Sequence, residues 1–291
     1  MMSRVLVAVL WLLHGLPFAW LARLGEGLGG LLYRLARRRR HVVEVNLRLC
    51  FPELDEAARH RLARAHFAVL GRSLLDRSLA WWATPERLRS IVRIEGLERL
   101  RSLVDAGRPV VLLAPHFVGL DVGGTRMALE FNSVSIYSRQ KNAVFDHWLR
   151  HGRSRFGDQM LLARDEGVRS TVRAMKAGRV FYYLPDMDYG RKDSIFVPFF
   201  GVPAATITGL SRLSRLAGAV VVPCVSRLLP DRQGYVVELQ DAWGDFPTAD
   251  VEADTRRMNA WLESVVRTMP EQYYWVHRRF KTRPEGEPRP Y

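Results

Sequence analysis

The residues best suited to chemistry are His116 and Asp121, in the sequence APHFVGLD. His116 ends a short apolar run bounded by prolines, PVVLLAPH (109–116), which is typical of a buried strand. In open α/β sheets, ligands bind at the carboxyl ends of the strands. If a helix follows His116, a carboxylate five residues later can reach back to the imidazole and stabilise its charged form. The other ring nitrogen would then accept a proton from an alcohol, so the pair predicts general-base catalysis.

The sequence offers no serine or cysteine nucleophile beside this pair, and it contains no GxSxG motif. A covalent acyl-enzyme is therefore disfavoured. Direct attack by a substrate hydroxyl on an activated acyl group fits better. The alternative interpretation is a structural histidine that caps a helix.

A second group of polar residues follows another predicted strand, VFYYLPD (180–186). Asp186, Asp188 and Asp193 occur there together with an arginine and a lysine. Three carboxylates are compatible with a metal site, but the interleaved cations argue against one, and we expect neither a metal ion nor a cofactor. Asp186 and Asp188 are candidates for substrate binding, with a solvated turn as the alternative.

Arginines form a third group. Arg139 ends the predicted strand 133–139, and Arg150, Arg153 and Arg155 lie on or near the helix that follows it. Guanidinium groups match the oxygens of phosphate, so each is a candidate anion ligand. For any one of these arginines, a solvated helix face is an equal alternative.

Short apolar runs alternate with helical stretches after residue 100, which predicts an α/β fold with helices flanking a central sheet. The last run alternates in the manner of an edge or antiparallel strand, so we expect a mixed sheet. The predicted strands are 109–116, 133–139, 180–186, 219–228 and 235–242. The predicted helices are 55–82, 118–130, 141–156, 165–177, 205–217 and 251–269.

The N-terminal segment predicts a membrane anchor. Val5–Trp20 is a run of 16 residues without formal charge, and the block Arg37–Arg40 follows it. The run is shorter than the ~20 residues of a spanning helix, so the segment either spans or lies in the interface. A cleaved signal peptide is disfavoured, because no convincing cleavage site follows the apolar run. A buried amphipathic helix remains an alternative. We therefore divide the chain into an anchor with a basic block, 1–40, and a cytoplasmic domain, 41–291.

Charge indicates the kind of partner. The 44 Lys and Arg against 30 Asp and Glu give a net charge of +14, which favours nucleic acid, an anionic membrane or an acidic protein as partner. The sequence contains no nucleic-acid-binding motif. Its two cysteines, Cys50 and Cys224, are expected to be reduced thiols in the cytoplasm.

Three segments together resemble the late acyltransferases of lipid A biosynthesis, the lauroyl and myristoyl transferases of Gram-negative bacteria. They are PHFVGLDVGG, PDMDYGRKDSIFVPFFGVPAATITGLSRL and QYYWVHRRFKTRPEGE. The resemblance covers nearly the whole chain. The HxxxxD motif by itself is shared with the broader glycerolipid acyltransferases, whereas the other two segments are more specific.

The resemblance implies a glycerolipid-acyltransferase-like fold and an inner-membrane enzyme with its catalytic domain on the cytoplasmic face. It implies an acyl carrier protein thioester as donor and a hydroxyl of a 3-hydroxyacyl chain on a Kdo-bearing lipid A precursor as acceptor. It also implies His116 as the general base with Asp121 as its partner, and functional roles for Arg153 and Asp186. An acidic carrier, an anionic acceptor and an anionic membrane would each suit a basic protein.

Two alternatives remain. One is an acyltransferase that acts on another lipid, such as a glycerolipid, an ornithine lipid or a phosphatidylinositol mannoside, because HxxxxD does not separate these substrates. The other is a basic membrane- or nucleic-acid-binding protein without catalysis, which would leave the HxxxxD motif unexplained.

Overall fold

Helices and strands alternate after a helical N-terminal third in the computed structural model, which describes residues 2–163 and 167–291. The helices are α1 (Met2–Leu13), α2 (Phe18–Leu35), α3 (Arg37–Cys50), α4 (Glu56–Trp82), α5 (Pro85–Ile91), α6 (Leu97–Asp105), α7 (Leu120–Met127), α8 (Ala143–Ser154), α9 (Gly167–Lys176), α10 (Gly209–Ala217) and α11 (Val251–Thr268). The strands are β1 (Val92–Glu95), β2 (Val110–Leu113), β3 (Ser133–Tyr137), β4 (Met160–Ala163), β5 (Val180–Tyr183), β6 (Ser194–Phe199), β7 (Val202–Ile207), β8 (Val220–Leu228) and β9 (Tyr235–Leu239).

Seven strands form one mixed sheet in the order β1-β9-β8-β2-β5-β3-β4. All neighbouring strands are parallel except β8 and β9, which are antiparallel. One hydrophobic cluster covers each face of β2, with Val110 and Leu112 on one side and Val111 and Leu113 on the other. The predicted α/β fold with a mixed central sheet flanked by helices is confirmed.

The structure corrects several element assignments. The two outermost strands of the sheet, β1 and β4, were not predicted. The helix predicted over 205–217 begins only at Gly209, because 202–207 is strand β7. Residues 165 and 166 of the helix predicted over 165–177 lie outside the described residues. The strand predicted over 235–242 is antiparallel to β8 but is not an edge strand.

Strands β6 and β7 form a separate hairpin because their connection is only two residues long. Phe200 and Gly201 both have positive φ, 52° and 72°, as a two-residue hairpin turn of the primed type requires. Pro198 and Pro203 face each other across the hairpin. Proline has no backbone N–H group to donate within a sheet, and the hairpin places its two prolines opposite each other. Because proline is uncommon in strands, these two residues made the segment difficult to identify as strand from the sequence.

Helix α4 is the central support of the N-terminal half. Gly25 and Gly29 of α2 pack against it, and a Cβ atom added at Gly29 would lie 2.0 Å from the carbonyl oxygen of Phe67. Two glycines of the GEGLGG segment (25–30) therefore form part of a helix-packing surface. At the other end of α4, Arg155 donates hydrogen bonds to the carbonyl groups of Leu79, Ala80 and Ala83. The bonds to Ala80 and Ala83 satisfy carbonyls at the end of the helix, where intrahelical donors are missing.

The predicted anchor forms two helices, α1 and α2, separated by a turn that ends at Pro17. Among the described residues, no helix combines the length and the apolar content needed to cross a bilayer. The division into an anchor, 1–40, and a catalytic domain, 41–291, remains a prediction.

Candidate active site

The register of the sheet brings His116 and Asp186 together. Strands β2 and β5 are parallel neighbours in which Leu113 pairs with Tyr183, and each strand is followed by one residue, a proline and then a functional side chain. His116 and Asp186 therefore lie three residues beyond paired positions, at the carboxyl edge of the sheet. This edge is where ligands bind in open α/β sheets.

The Asp186 carboxylate holds His116 at two points. The backbone N–H of His116 donates to Oδ2 at 3.0 Å, and the Nδ1–H of its ring donates to Oδ1 at 2.7 Å. Burial alone would raise the pKa of Asp186, but the neighbouring His116 outweighs it, so the pKa lies below its usual value. An ionised Asp186 fixes the imidazole tautomer that leaves Nε2 free to accept a proton.

Asp121, which the sequence suggested as the partner of the imidazole, makes no hydrogen bond to His116 among the described residues, and its catalytic role stays a prediction. Asp121 lies in the first turn of α7, and its Oδ1 accepts a hydrogen bond from Arg153 at 2.9 Å. Its Oδ2 lies 3.8 Å from Nε of Arg77 on α4. Burial alone would raise the pKa of Asp121, but the two arginines outweigh it and lower the pKa. The carboxylate turns towards two cations, while the ring nitrogen of His116 already has Asp186.

The predicted arginines separate into different roles. Arg153 lies in α8 beside Asp121, as part of the site. Arg155, two residues later, is bound to the end of α4. Arg139 is exposed beyond the end of β3 and lines none of the cavities at the site. Its predicted role in substrate binding gains no support from this position.

Asp188 is buried, with only 2% of its surface exposed, and it bonds protein groups. Its carboxylate accepts hydrogen bonds from the backbone N–H of Gly190 at 2.9 Å and from the backbone N–H and the hydroxyl of Thr282 at 2.8 and 2.9 Å. The N–H of Asp188 donates to Nε2 of His277 at 3.0 Å. These contacts tie the loop after β5 to the C-terminal segment, an arrangement that favours positioning over the predicted contact with substrate.

The C-terminal segment also holds the loop that carries His116. The backbone N–H of Tyr274 donates to the carbonyl of His116 at 3.0 Å, and the N–H of Val118 donates to the carbonyl of Gln272 at 2.9 Å. The hydroxyl of Tyr273 donates to the carbonyl of Asp186 at 3.4 Å. Both halves of the His116–Asp186 pair are thus fixed by one continuous stretch of backbone.

Two clefts border His116, and a smaller apolar cavity lies beside them. We name them the α4 cleft, the β3 cleft and the apolar cavity, with volumes of about 330, 260 and 40 Å³. The α4 cleft is lined by Ser73, Arg77, Trp81, Phe145 and Tyr274. The β3 cleft is lined by Ile136, Tyr137, Ser138, Leu184 and Tyr189. The apolar cavity is lined by Leu112, Gly124, Met127, Phe131, Val180 and Tyr182.

His116 and Arg153 are among the residues that connect these spaces. His116 lines both clefts, and Arg153 lines all three cavities. The apolar cavity has room for roughly three water-sized groups, so it holds only a few methylenes without movement of its walls. A base, a fixed cation and an apolar recess therefore converge on one point that can be reached from two directions.

Arg77 and Gln140 line the α4 cleft but were not identified from the sequence. Arg77 had a detectable signal, because it is charged within the otherwise mainly apolar end of α4, LLDRSLAWW. Gln140 follows β3 directly after the exposed Arg139. Neighbouring residues of an extended segment point to opposite sides, so Gln140 reaches the cleft and Arg139 does not. The residue types alone do not reveal which of the two points towards the cleft.

A model of the family described as bacterial lipid A biosynthesis acyltransferase matches residues 2–282. The chain is 37% identical to the lipid A biosynthesis lauroyltransferase of Escherichia coli K12 over 98% of its length and 93% of the relative. It is 34% identical to the palmitoleoyltransferase of the same strain, over 97% and 91% of the two chains. It is 33% identical to the myristoyltransferase, over 93% and 83%.

A solved structure, that of the 1-acyl-sn-glycerophosphate (LPA) acyltransferase from Thermotoga maritima, matches 82% of this chain and 98% of its own, with 14% identity and a TM-score of 0.38. That similarity is too low to support any functional argument. The family match and the three E. coli relatives span nearly the whole chain, including the segments that form the site. The chain belongs to the bacterial lipid A biosynthesis acyltransferase family and is an acyltransferase of lipid A biosynthesis.

Proposed function

We propose that the protein transfers a fatty acyl chain from an acyl carrier protein thioester to a hydroxyl of a 3-hydroxyacyl chain on a Kdo-bearing lipid A precursor. The observation that carries the proposal is the convergence of three cavities at Arg153, two of which also border His116. Acyl transfer between two large substrates requires separate approaches to one base. The two clefts give such approaches, and the apolar cavity accommodates the part of the acyl chain next to the carbonyl.

In this scheme Nε2 of His116 takes the proton of the acceptor hydroxyl, and the oxygen attacks the thioester carbonyl carbon. The imidazolium that forms is stabilised by the ionised Asp186 at Nδ1, at 2.7 Å. The scheme therefore assigns to Asp186 the role that HxxxxD spacing had suggested for Asp121. No covalent acyl-enzyme is formed.

The tetrahedral intermediate carries its negative charge on the former carbonyl oxygen. Arg153 is our candidate for stabilising this oxyanion, because it lies where the apolar cavity opens into both clefts. When the intermediate collapses, the carbon–sulfur bond breaks and the carrier thiolate takes the proton held by His116. This step regenerates the neutral base.

The charge of the chain supports the proposed substrates. A net charge of +14 attracts an acidic carrier protein, and it equally attracts an acceptor that carries phosphates and sugar carboxylates. Within the site, Arg153 is held in place by a hydrogen bond to Asp121.

We also propose that α1 and α2 lie in the interface of the bacterial inner membrane, with the catalytic domain on the cytoplasmic face. Ten of the thirteen exposed large hydrophobic side chains among the described residues lie in these two helices, including Trp11, Leu12, Trp20 and Leu35. An apolar surface followed by the basic block Arg37–Arg40 is typical of helices that lie on an anionic bilayer.

Vesicle flotation tests this location. We expect the wild type to float with vesicles of phosphatidylethanolamine and phosphatidylglycerol, and we expect the triple variant Trp11→Ser, Leu12→Ser, Leu35→Ser to remain largely unbound. Leu216→Ser is the matched control, because Leu216 is equally exposed but lies on α10. Equal flotation of the triple variant and the control would contradict the interfacial location.

Mass spectrometry of the products tests the reaction. Detergent-solubilised protein is incubated with acyl carrier protein thioesters of several chain lengths and a Kdo-bearing lipid A precursor. We expect one added acyl chain, and a rate about 10²–10⁴ lower for His116→Ala. His41→Ala, an exposed histidine on α3, controls for loss of an imidazole elsewhere. Acylation of a lysophospholipid without any acylation of the precursor would replace the proposed acceptor with another lipid.

A further inference from the structure

Arg77 occupies an unusual position for an arginine of α4. It lies one helical turn after Ser73 and one turn before Trp81, and the three side chains form one wall of the α4 cleft. Its side chain is 35% exposed, and it approaches Asp121 from the side opposite Arg153. Two guanidinium groups thus share one carboxylate at the cleft that also contains His116, leaving one positive charge in excess.

The two arginines are not equivalent. Arg153 donates a hydrogen bond to Asp121 at 2.9 Å, whereas Nε of Arg77 lies 3.8 Å from the carboxylate, beyond hydrogen-bond distance. None of the residues in 2–163 and 167–291 accepts a hydrogen bond from Arg77. Its N–H donors therefore border a cleft of about 330 Å³ without an acceptor from the described residues within hydrogen-bond distance.

Other arginines near α4 show what a structural role looks like in this fold. Arg155 donates three hydrogen bonds to the carbonyls that end the helix, and Arg72 is 4% exposed and forms an ion pair with Glu26 at 3.5 Å. Arg77 has neither the carbonyl partners nor the burial. Its placement fits a group that receives a ligand.

We propose that Arg77 is the principal cation of a phosphate-binding subsite in the α4 cleft, with Asp121 as the residue that positions it. A guanidinium presents paired N–H donors that match two phosphate oxygens. This inference rests on the proposed acyl transfer, in which phosphate has two possible sources. One is the phosphopantetheine arm of the carrier, and the other is a phosphate on the acceptor.

The test compares substrates with and without phosphate. The donors are an acyl-phosphopantetheine thioester and the corresponding acyl-pantetheine, and the acceptors are the precursor before and after phosphatase treatment. For Arg77→Ala we expect the KM of one phosphorylated substrate to rise about 10- to 100-fold, as loss of a hydrogen bond to a charged group implies, with kcat within about threefold. The KM of its phosphate-free counterpart should not change. If the KM changes only for the phosphorylated donor, the phosphate comes from the phosphopantetheine arm. If it changes only for the phosphorylated acceptor, the phosphate belongs to the lipid precursor.

Arg61→Ala is the matched control, since Arg61 is exposed on α4 about four turns before Arg77 and outside the cleft. Arg77→Lys should recover part of the affinity, because lysine retains the charge without the paired donors. The proposal is overturned if Arg77→Ala lowers kcat and leaves every KM unchanged, which would make Arg77 an oxyanion ligand. It is equally overturned if phosphorylated and phosphate-free substrates lose affinity alike.

A binding measurement separates this inference from the reaction itself. Titration of wild type and Arg77→Ala with inorganic pyrophosphate, followed by ³¹P NMR, requires no acyl transfer. Weaker binding to the variant would support the subsite even if the wild type acylated no precursor, in which case the proposed reaction alone would fail. Equal binding to both proteins would reject the subsite.

Discussion

The carboxylates on the two sides of His116 differ in their exposure and in their partners. On one side Asp186 and Asp188 are each 2% exposed and are bonded to the histidine, to backbone N–H groups and to Thr282. On the other side Asp121 is 27% exposed, and its partners Arg153 and Arg77 are 29% and 35% exposed. The first region is closed by the C-terminal segment, and the second opens into the clefts.

This contrast assigns different tasks to similar residues. A buried carboxylate with satisfied hydrogen bonds keeps one geometry, as the orientation of a base requires. An ion pair that is about one third exposed can exchange partners with an incoming anion at low cost, because water partly screens it. We infer that the closed region orients the base and that the open region binds substrate.

The largest expected effect that tests this division is that of Asp186→Asn. The amide would leave the imidazolium without its counter-charge and would weaken the hydrogen bond that selects the tautomer. We expect kcat to fall about 10²–10⁴-fold, with KM within a factor of about three. Steady-state rates with saturating acceptor and a varied acyl carrier protein donor measure both constants.

Asp193→Asn is the matched control for this substitution, because Asp193 lies exposed in the same loop after β5. It should retain the activity of the wild type. If Asp186→Asn had the same kcat as this control, Asp186 would not be the partner of the base.

The pair at the centre of the site could have been found from the sequence. PVVLLAPH and VFYYLPD each consist of a strand, one residue, a proline and a polar side chain, and parallel pairing in register brings the two ends together. The HxxxxD spacing pointed to the nearer carboxylate instead. The spacing of two residues along the chain limits how far apart their side chains can lie, but it does not give the direction of either side chain. Because α7 begins at Leu120, the side chain of Asp121 points towards α8 and bonds Arg153.

The central strands were predictable because burial on both faces makes them continuous apolar runs. The outer strands β1, VRIE, and β4, MLLA, are four residues long, and β1 alternates charged with apolar residues, so neither resembles a buried strand. The role of Arg77 depends on which face of a 27-residue helix meets the cleft. That is decided by the packing of α2 and the C-terminal segment against α4, which are distant in sequence.

We expect a decrease in pH to destabilise the contacts of the closed region more than those of the open region. His66 donates to the carbonyl of Glu271 from a fully buried position, and His277 accepts the N–H of Asp188. Burial lowers the pKa of each histidine to about 4. The unfolded chain takes up these protons near pH 6.5, so between about pH 6.5 and 4 it binds more protons than the folded chain. Stability therefore falls as the pH falls through this window, by on the order of 3 kcal/mol for each histidine.

Urea unfolding in mild detergent at a series of pH values measures this loss. His66→Gln should show a shallower decrease than the wild type, because glutamine takes up no proton in either state. His41→Gln, exposed on α3, should follow the wild-type curve. Parallel curves for wild type and His66→Gln would exclude His66 as a source of the pH dependence.

The smallest of the three effects is expected for Asp121→Asn, and it bears most directly on the two regions. The amide keeps an oxygen for the hydrogen bond from Arg153 at 2.9 Å but loses the charge that attracts Arg77. We expect kcat/KM to fall roughly 10- to 100-fold through looser placement of the two arginines, less than for Asp186→Asn. Asp105→Asn, which removes one negative charge at the exposed end of α6 away from the site, controls for the altered net charge.

The ranking of the two variants decides between the two assignments. If Asp121 were the partner of His116, Asp121→Asn would lower kcat at least as much as Asp186→Asn, because the base would lose its counter-charge. If Asp121 organises the arginines, looser placement of Arg153 should lower kcat less than Asp186→Asn does, while the effect through Arg77 should appear in KM and should weaken at high salt, since the anion it helps to bind lies in an open cleft. The salt dependence of KM, compared between Asp121→Asn and the wild type, therefore separates orientation of the base from attraction of the substrate.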